Sequence, residues 1–389
     1  MKRILFVFGT RPEAIKFEPL VKAFKAESSF DAKVCITSQH KEMLQQVMEF
    51  FAIEADYDLD VMKPNQDLST LTSTVLTSLS KVLGADKPDL LFVQGDTTTA
   101  FIGALAAFYY QVPVAHLEAG LRSFNKYSPF PEEINRKLIS PIADLHFAPT
   151  EAAAAHLKAE GITDNVHVVG NTVIDALILG LNLIKERGEE SYLQQFQFLD
   201  FNRKIILVTG HRRESFGEGF EGICLALNTI AGKYPEVQIV YPVHLNPNVQ
   251  EPVNRLLKNS NNIFLLPPVS YAPLIWLMNK CHMVITDSGG IQEEAPTLGK
   301  PVLVMRDVTE RMEGVHAGTA KLVGTKSSSI IDAVFALRED EQHYNQMARS
   351  NNPYGDGLTS NRIVDIVASP VSSFTWSGSH FGLVIVVSF

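Results

Sequence analysis

The stretch ILFVFGTRPEAIK, residues 4–16, decides the fold class of this chain. Its apolar run, residues 4–8, is too short for the hydrophobic region of a secretory signal and predicts a strand buried on both faces. Gly9 then permits a tight turn, and Pro12 suits the first turn of a helix. A buried strand followed directly by a helix is the repeating unit of a parallel α/β fold.

The same unit recurs along the chain. We predict strands at residues 4–8, 33–37, 90–94 and 112–116, with helices at 12–24, 41–51, 68–83 and 98–109. After a helical stretch at about 170–190, we predict strands at 205–209, 238–241, 263–266, 283–286 and 301–304, with helices at 219–233, 249–259, 272–278 and 291–298. This alternation predicts mostly parallel sheets with helices on both faces.

The restart of the pattern predicts two doubly wound, Rossmann-like domains. The first spans residues 1–170 and carries the candidate acids, and the second spans 171–367 and carries a candidate nucleotide site. Residues 368–389 form an atypical apolar tail, in which Pro370 would end any helix. Ligands of open α/β sheets bind outside the carboxyl ends of the strands, so we expect a site in the cleft between the domains.

Composition narrows the function. The 389 residues carry a net charge of −9, which gives no general attraction for nucleic acid. No apolar run approaches the roughly 20 residues of a membrane-spanning helix. The 3 cysteines are widely spaced, which argues against a disulfide framework or a zinc site and favours a reducing, cytoplasmic setting.

Charged residues follow several predicted strands of the first domain. Arg11 and Lys16 would lie near a helix N-terminus, either as an anion site or as ordinary surface residues. Asp96 could cap the next helix, whereas Glu118 beside a glycine is harder to explain by capping. Glu132 could complement a helix dipole or pair with Arg136 four residues later. Taken together, these carboxylates suggest acid/base chemistry.

The second domain carries candidate phosphate contacts. His211 follows a strand and a glycine, and precedes two arginines. The Ser288-Gly289-Gly290 turn could cradle a diphosphate with its backbone N–H groups, or be a plain turn before a helix. Glu294 could accept ribose hydroxyls and Arg311 could reach a phosphate. Neither the nicotinamide nor the P-loop fingerprint is present, so we expect no such cofactor.

A set of longer motifs extends over the chain. In order, it contains FGTRPEAIK (8–16), QGDTTTA (94–100), HLEAGLRS (116–123), PFPEEINR (129–136), GNTVIDAL (170–177), TGHRRESFG (209–217), YPVHLNPNV (241–249), TDSGGIQEEAP (286–296) and NPYGDG (352–357). With these motifs, residues 2–367 resemble the non-hydrolysing UDP-N-acetylglucosamine 2-epimerases of bacteria.

The resemblance implies a glycosyltransferase-B-like fold and interconversion of UDP-N-acetylglucosamine and UDP-N-acetylmannosamine without a cofactor or metal. It implies elimination of UDP to a 2-acetamidoglucal followed by re-addition, in a cytoplasmic homodimer that supplies N-acetylmannosamine units for surface polysaccharide. The catalytic positions are Asp96, Glu118, Glu132 and His211. The substrate-binding positions are Arg11, Lys16, Arg136, Ser288, Gly289, Gly290, Glu294 and Arg311.

The resemblance also implies a second, regulatory contact with UDP-N-acetylglucosamine. Gln39, Arg212 and His244 match it, and Glu42 replaces a glutamine found in some members. Other interpretations are a hydrolysing epimerase, a glycosyltransferase on the same scaffold, and a sugar-nucleotide sensor without catalysis. The presence of all the candidate carboxylates argues against the sensor.

Overall fold

The first sheet is built from seven parallel strands, in a computed structural model that describes residues 1–38, 41–61 and 66–369. The strands are β1 (Lys2–Phe8), β2 (Phe30–Ile36), β3 (Tyr57–Asp58), β4 (Leu90–Gln94), β5 (Val114–Leu117), β6 (Leu145–Ala148) and β7 (Val166–Val168). Their spatial order is β3-β2-β1-β4-β5-β6-β7. In the centre of this sheet, Ile4 lies opposite Ala32 on one side and Leu90 on the other.

The second sheet has six parallel strands within the described residues. They are β8 (Ile205–Thr209), β9 (Gln238–Pro242), β10 (Ile263–Leu266), β11 (Met283–Thr286), β12 (Val302–Val304) and β13 (Ala320–Leu322). The spatial order is β10-β9-β8-β11-β12-β13. The two Rossmann-like sheets confirm the predicted fold class.

Helices connect the strands of both sheets. Those up to the second sheet are α1 (Arg11–Ala26), α2 (Lys41–Phe51), α3 (Leu68–Ala85), α4 (Thr98–Tyr109), α5 (Glu132–Ile139), α6 (Glu151–Ala159), α7 (Thr172–Arg187) and α8 (Glu190–Gln195). Those that follow are α9 (Glu218–Lys233), α10 (Pro247–Leu257), α11 (Tyr271–Lys280), α12 (Gly289–Glu294), α13 (Met312–His316), α14 (Ser327–Glu339), α15 (Glu341–Ala348) and α16 (Thr359–Ala368). Short 3₁₀ turns occur at Arg213–Ser215 and Ala295–Leu298. No helix in the described part of the chain is long and apolar enough to cross a membrane.

Each predicted strand overlaps an observed one, but the sequence pattern does not predict β3, β6, β7 or β13. These strands have two to four residues, which is too short for a clear period. In β6 and β7 a histidine, His146 or His167, also interrupts the apolar run. Burial lowers the pKa of His146 to about 4, so it packs in the sheet as a neutral side chain.

The core joins the two sheets through α7. Phe6 stacks on Phe92 at a centroid distance of 5.0 Å within the first sheet's apolar layer. The same apolar cluster continues through Leu177 of α7 to Trp276 of α11 and Ile363 of α16. The predicted domain boundary near residue 170 therefore falls just before α7, which packs against elements of both sheets. The boundary itself stays a prediction. The predicted tail lies outside the described residues from Pro370 onward.

The topology fixes where a ligand can bind. Strand order reverses between β1 and β4 in the first sheet, and between β8 and β11 in the second. Crevices form at such switch points beyond the carboxyl ends of the strands. In the first sheet these ends lead to Gly9 and Gly95, and in the second to Gly210 and Asp287.

Candidate active site

Lys16 and Glu118 form a buried ion pair at the switch point of the first sheet. The Nζ atom of Lys16 lies 2.6 Å from Oε2 of Glu118, and the two side chains are 12% and 6% exposed. Gln94, the last residue of β4, also donates its side-chain amide to Glu118. Burial disfavours the charged carboxylate, but the Lys16 ammonium and the Arg311 guanidinium outweigh it and lower the pKa of Glu118. Glu118 is therefore held ionised.

The backbone at Glu118 is unusual. Its φ of +63° lies in the left-handed region, which costs a residue with a side chain about 1–2 kcal/mol. Two residues later, Gly120 has a φ of +91°, and a Cβ there would collide with the carbonyl of Ala153. Together these residues turn the chain sharply after β5 and direct the Glu118 carboxylate towards the cleft.

Asp96 is paired with Arg136 rather than capping a helix. Oδ2 of Asp96 lies 2.6 Å from Nη2 of Arg136. Thr97 caps α4, since its hydroxyl accepts from the backbone N–H of Ala100 at 2.9 Å. Burial lowers the pKa of Arg136, but Asp96 reverses this and the net shift is upward. The alternative that Asp96 only caps the next helix is therefore excluded.

Glu132 stands at the start of α5 without the partner that its spacing suggested. Arg136 binds Glu133, at 3.2 Å, together with Asp96, so the predicted pair with Glu132 is wrong. Three residues along a helix bring Glu133 to the same side as Arg136, and its carboxylate also accepts from the backbone of Ser123 at 2.9 Å. Oε2 of Glu132 is buried and has no hydrogen-bond partner among the described residues. The hydrogen-bonding capacity of this oxygen is therefore unused by the described residues.

We call the parts of the chain that build the first and second sheets the first and second unit. In the second unit, His211 packs against the buried carboxylate of Asp287. Asp287, which follows β11, accepts the backbone N–H of His211 at 2.7 Å and that of Arg212 at 2.8 Å. Nδ1 of His211 lies 3.6 Å from Oδ1 of Asp287, and the ring stacks on His244 at 5.2 Å. Burial lowers the pKa of His211, and Asp287 opposes that shift. Its side chain is 47% exposed, so it can meet a ligand.

The guanidinium of Arg311 packs directly against the Ser288-Gly289-Gly290 turn. A Cβ on Gly289 would lie 2.7 Å from Cζ of Arg311, so the close approach of this guanidinium requires glycine. Nε of Arg311 donates to Oε1 of Glu293 at 2.9 Å. Burial and the charge of Glu118 raise the pKa of Glu293 against the pull of Arg311. An anion at Ser288 and Gly290 would therefore meet a buried positive charge.

Arg11 of the first unit and Glu294 of the second interact electrostatically. Burial lowers the pKa of Arg11, and the charge of Glu294 opposes this. Burial raises the pKa of Glu294 to about 7, although the hydroxyl of Tyr271 donates to it at 2.8 Å. Tyr271 and Trp276 are both buried. Glu294 remains a candidate acceptor for ligand hydroxyls.

The candidate regulatory residues lie partly outside the described chain. Gln39 is outside it, and so is the side chain of Glu42, although its backbone belongs to α2. Arg212 is half-buried, and burial together with Arg306 lowers its pKa. His244 is exposed and stacks on His211. A second ligand site here stays a prediction.

A cavity of about 690 Å³ opens between the two units, and none of the candidate acid, base or phosphate-contact residues named above lines it. Its lining includes Arg122, Phe124 and His156 from the first unit and Met305, Arg306 and Glu313 from the second. Arg306 is paired there with Glu214 at 2.7 Å and with Glu310 at 3.0 Å. A small ligand in this cavity would touch both units.

Sequence reasoning missed several residues that the structure places among the candidates. They are Gln94, Asn171, Asp287 and Glu293. Glu293 and Asp287 lie inside the glycine-turn motif, so proximity to Glu294 and Ser288 was a usable signal. Asn171 precedes a helix and has the sequence pattern of an ordinary N-cap.

Comparison with known proteins places the chain in a family. The model of the UDP-N-acetylglucosamine 2-epimerase family matches residues 22–368. The UDP-N-acetylglucosamine 2-epimerase of Yersinia pestis is 55% identical over 93% of this chain and 97% of its own length. The crystal structure of the Neisseria meningitidis UDP-GlcNAc 2-epimerase bound to UDP-GlcNAc is 50% identical, with a TM-score of 0.88 over 94% of this chain and 99% of that one. A Staphylococcus aureus protein solved with UDP is 46% identical, with a TM-score of 0.85 over 98% of this chain and 100% of that one. The chain belongs to the UDP-N-acetylglucosamine 2-epimerase family.

Proposed function

We propose that this protein inverts C2 of the sugar in UDP-N-acetylglucosamine and produces UDP-N-acetylmannosamine reversibly. The observation that carries the proposal is the meeting of the Lys16–Glu118 pair of the first unit with the Glu293–Arg311 pair of the second. Nucleotide contacts and acid/base groups thus face one cleft. Relatives that match nearly the whole chain are named for this reaction or were solved with UDP-GlcNAc or UDP.

The second unit would hold the nucleotide. The Ser288-Gly289-Gly290 turn offers backbone N–H groups to the diphosphate, and Arg311 lies against this turn. His211 and Arg11 add positive charge or N–H donors from either side of the cleft. Glu294 would accept the ribose hydroxyls. These contacts stabilise the two phosphates as they gain charge when UDP departs.

The order of bond breaking follows from the substrate. The C2 hydrogen of the sugar is not acidic, so cleavage of the C1–O bond must run ahead and give C1 oxocarbenium character. The bonding electrons leave with UDP, the C2 proton goes to a base, and a 2-acetamidoglucal remains. Re-addition of UDP at C1 and of a proton at C2 on the opposite face completes the inversion. The steps balance without an oxidant or reductant.

The contacts suggest different work for the carboxylates. Glu118 is ionised by its pairing with Lys16, so it suits a base or a negative charge beside the oxocarbenium ion. The partnerless oxygen of Glu132 suits proton transfer. Asp96 is fixed by Arg136, so it suits orientation of the sugar. Inversion requires two faces, and these groups supply more than one acid or base.

Family membership supports expectations about the location, the assembly and the regulation of the protein. We expect a cytoplasmic homodimer that supplies N-acetylmannosamine units for surface polysaccharide. We also expect regulation by a second UDP-N-acetylglucosamine molecule near Arg212 and His244.

Proton NMR of the purified protein with UDP-N-acetylglucosamine alone tests the function. We expect the signals of UDP-N-acetylmannosamine to grow until an equilibrium mixture forms. Net accumulation of free N-acetylmannosamine would favour a hydrolysing enzyme. No change without an added sugar acceptor, followed by transfer when one is present, would favour a glycosyltransferase.

A further inference from the structure

Asn171 stands between the acids of the two units. Its Nδ2 atom lies 3.1 Å from Oε1 of Glu118 and 3.1 Å from Oε2 of Glu293. Glu118 follows β5 of the first sheet, whereas Glu293 belongs to α12 beside the second sheet. One side-chain amide therefore joins a candidate catalytic carboxylate to the opposite wall of the cleft.

A third hydrogen bond fixes the orientation of this amide. Oδ1 of Asn171 accepts the backbone N–H of Val173 at 3.1 Å and so caps α7. Because the amide oxygen is occupied by Val173, the NH₂ group faces both glutamates and uses one hydrogen for each. The residue is 3% exposed, and all three of these bonds are shielded from water.

The backbone of Asn171 is anchored by the C-terminal loop. Its N–H donates to the carbonyl of Tyr354 at 2.7 Å. The preceding Gly170 has a φ of +97°, and a Cβ there would lie 2.8 Å from Oγ1 of Thr359. The side-chain amide of Asn352 donates to the carbonyl of Glu293 at 2.8 Å. The NPYGDG motif at 352–357 thus fixes the positions of both the Asn171 amide and its acceptor Glu293.

The bridge has an electrostatic consequence. Two carboxylates that face each other in a buried site repel, and Lys16 and Arg311 neutralise them from the outer sides. A neutral double donor between them adds attraction to both without adding charge. Because the donor favours the ionised form of its acceptor, its loss should raise the pKa of Glu118.

We propose that Asn171 is a positioning residue for the epimerisation, whose amide keeps Glu118 ionised and correctly placed relative to Glu293. The role rests on the proposed epimerase function. Asn171 does not itself touch the reacting atoms, since its hydrogens are occupied by the two glutamates. It acts through Glu118.

Two variants test the role. Asn171→Ser keeps a short hydroxyl for the helix cap but cannot reach both glutamates. Asn171→Asp keeps the size and the cap, and replaces the double donor with a third carboxylate. Asn262→Ser is the control, because the amide of Asn262 also bonds to several acceptors, the carbonyls of Ala231, Tyr234 and Val237, away from the cleft.

The readouts are kcat and KM for UDP-N-acetylglucosamine across pH, UDP affinity by calorimetry, and Tm. We expect Asn171→Ser to lower kcat about tenfold or more. UDP affinity should stay within about twofold of wild type, because the direct phosphate contacts are intact. The acid limb of the kcat profile should move to higher pH, because Glu118 then takes up a proton more readily. Asn171→Asp should move this limb further, and Asn262→Ser should lower only Tm.

The outcomes separate the two proposals. An unmoved acid limb in both Asn171 variants, beside an active wild type, would overturn the positioning role alone. The positioning role would also fail if both variants lost UDP affinity and kept kcat, because Asn171 would then serve binding. A wild-type protein that leaves UDP-N-acetylglucosamine unchanged would remove the proposed function, and this role with it.

Discussion

Lys16 and Glu118 are 102 residues apart in sequence and meet at 2.6 Å inside the cleft. Lys16 lies one turn into the helix after β1, and Glu118 directly follows β5. The pairing keeps both side chains charged, because burial alone would favour the neutral form of each group. Each member therefore depends on the other for its charge.

Removal of Lys16 should disable the site. Lys16→Met leaves Glu118 buried without its main counter-charge, so the pKa of Glu118 rises. We expect turnover to fall about 10²–10³-fold and the free energy of unfolding to drop by about 3–5 kcal/mol. Lys25→Met, at an exposed position of the same helix, is the control. Steady-state kinetics and denaturant unfolding measure both effects, and near-normal turnover at neutral pH would refute the dependence.

Glu132 should matter for turnover more than for binding. Glu132→Gln removes the carboxylate whose free oxygen we assign to proton transfer, and such losses typically cost about 10²–10⁴-fold in rate. Glu151→Gln is matched, because Glu151 is likewise the first residue of its helix, α6, and is exposed. Wild-type kcat in Glu132→Gln would end the catalytic assignment of this residue.

Gly289 should matter for the nucleotide. In Gly289→Ala the new methyl group would lie 2.7 Å from Cζ of Arg311, so the guanidinium must leave its place beside Glu293. We expect UDP affinity, measured by calorimetry, to fall about 10–100-fold. Gly232→Ala, where a Cβ meets nothing within 4 Å, should bind UDP normally and gain up to about 1 kcal/mol of helix stability. Equal UDP affinity in the two variants would contradict the assignment of Arg311.

Glu18 gives the fold a pH dependence outside the proposed chemistry. Burial raises its pKa to about 7, and Lys22 at 3.8 Å only partly opposes this. A carboxyl whose pKa is raised by folding stabilises the folded state below its unfolded pKa, and this contribution is lost as pH rises to about 7. Glu18→Gln should therefore gain stability over wild type between pH 5 and 8, by up to about 3 kcal/mol. A difference in unfolding free energy that does not change with pH would disprove this.

The strand ends were predictable and the cross-cleft contacts were not. Buried apolar runs locate β1, β4, β8 and β11, and so place Asp96 and His211 at the carboxyl ends of strands. The partners of these residues depend on distant segments: Arg136 reaches Asp96 from α5, and Asn171 reaches Glu293 across the cleft. Helical spacing predicted Glu132 as the partner of Arg136. It could not predict Asp96, because this acceptor lies on a loop that only the tertiary structure brings close.

The central claim is inversion through loss and return of the C2 proton. In deuterated water, we predict that UDP-N-acetylmannosamine formed from UDP-N-acetylglucosamine carries deuterium at C2, since carboxylates exchange their protons with solvent far faster than turnover. Proton NMR measures this as the loss of the C2 signal, and mass spectrometry as a gain of one mass unit. Traces of free UDP and 2-acetamidoglucal should accompany it. Epimerisation with full retention of the original C2 hydrogen would contradict the elimination route.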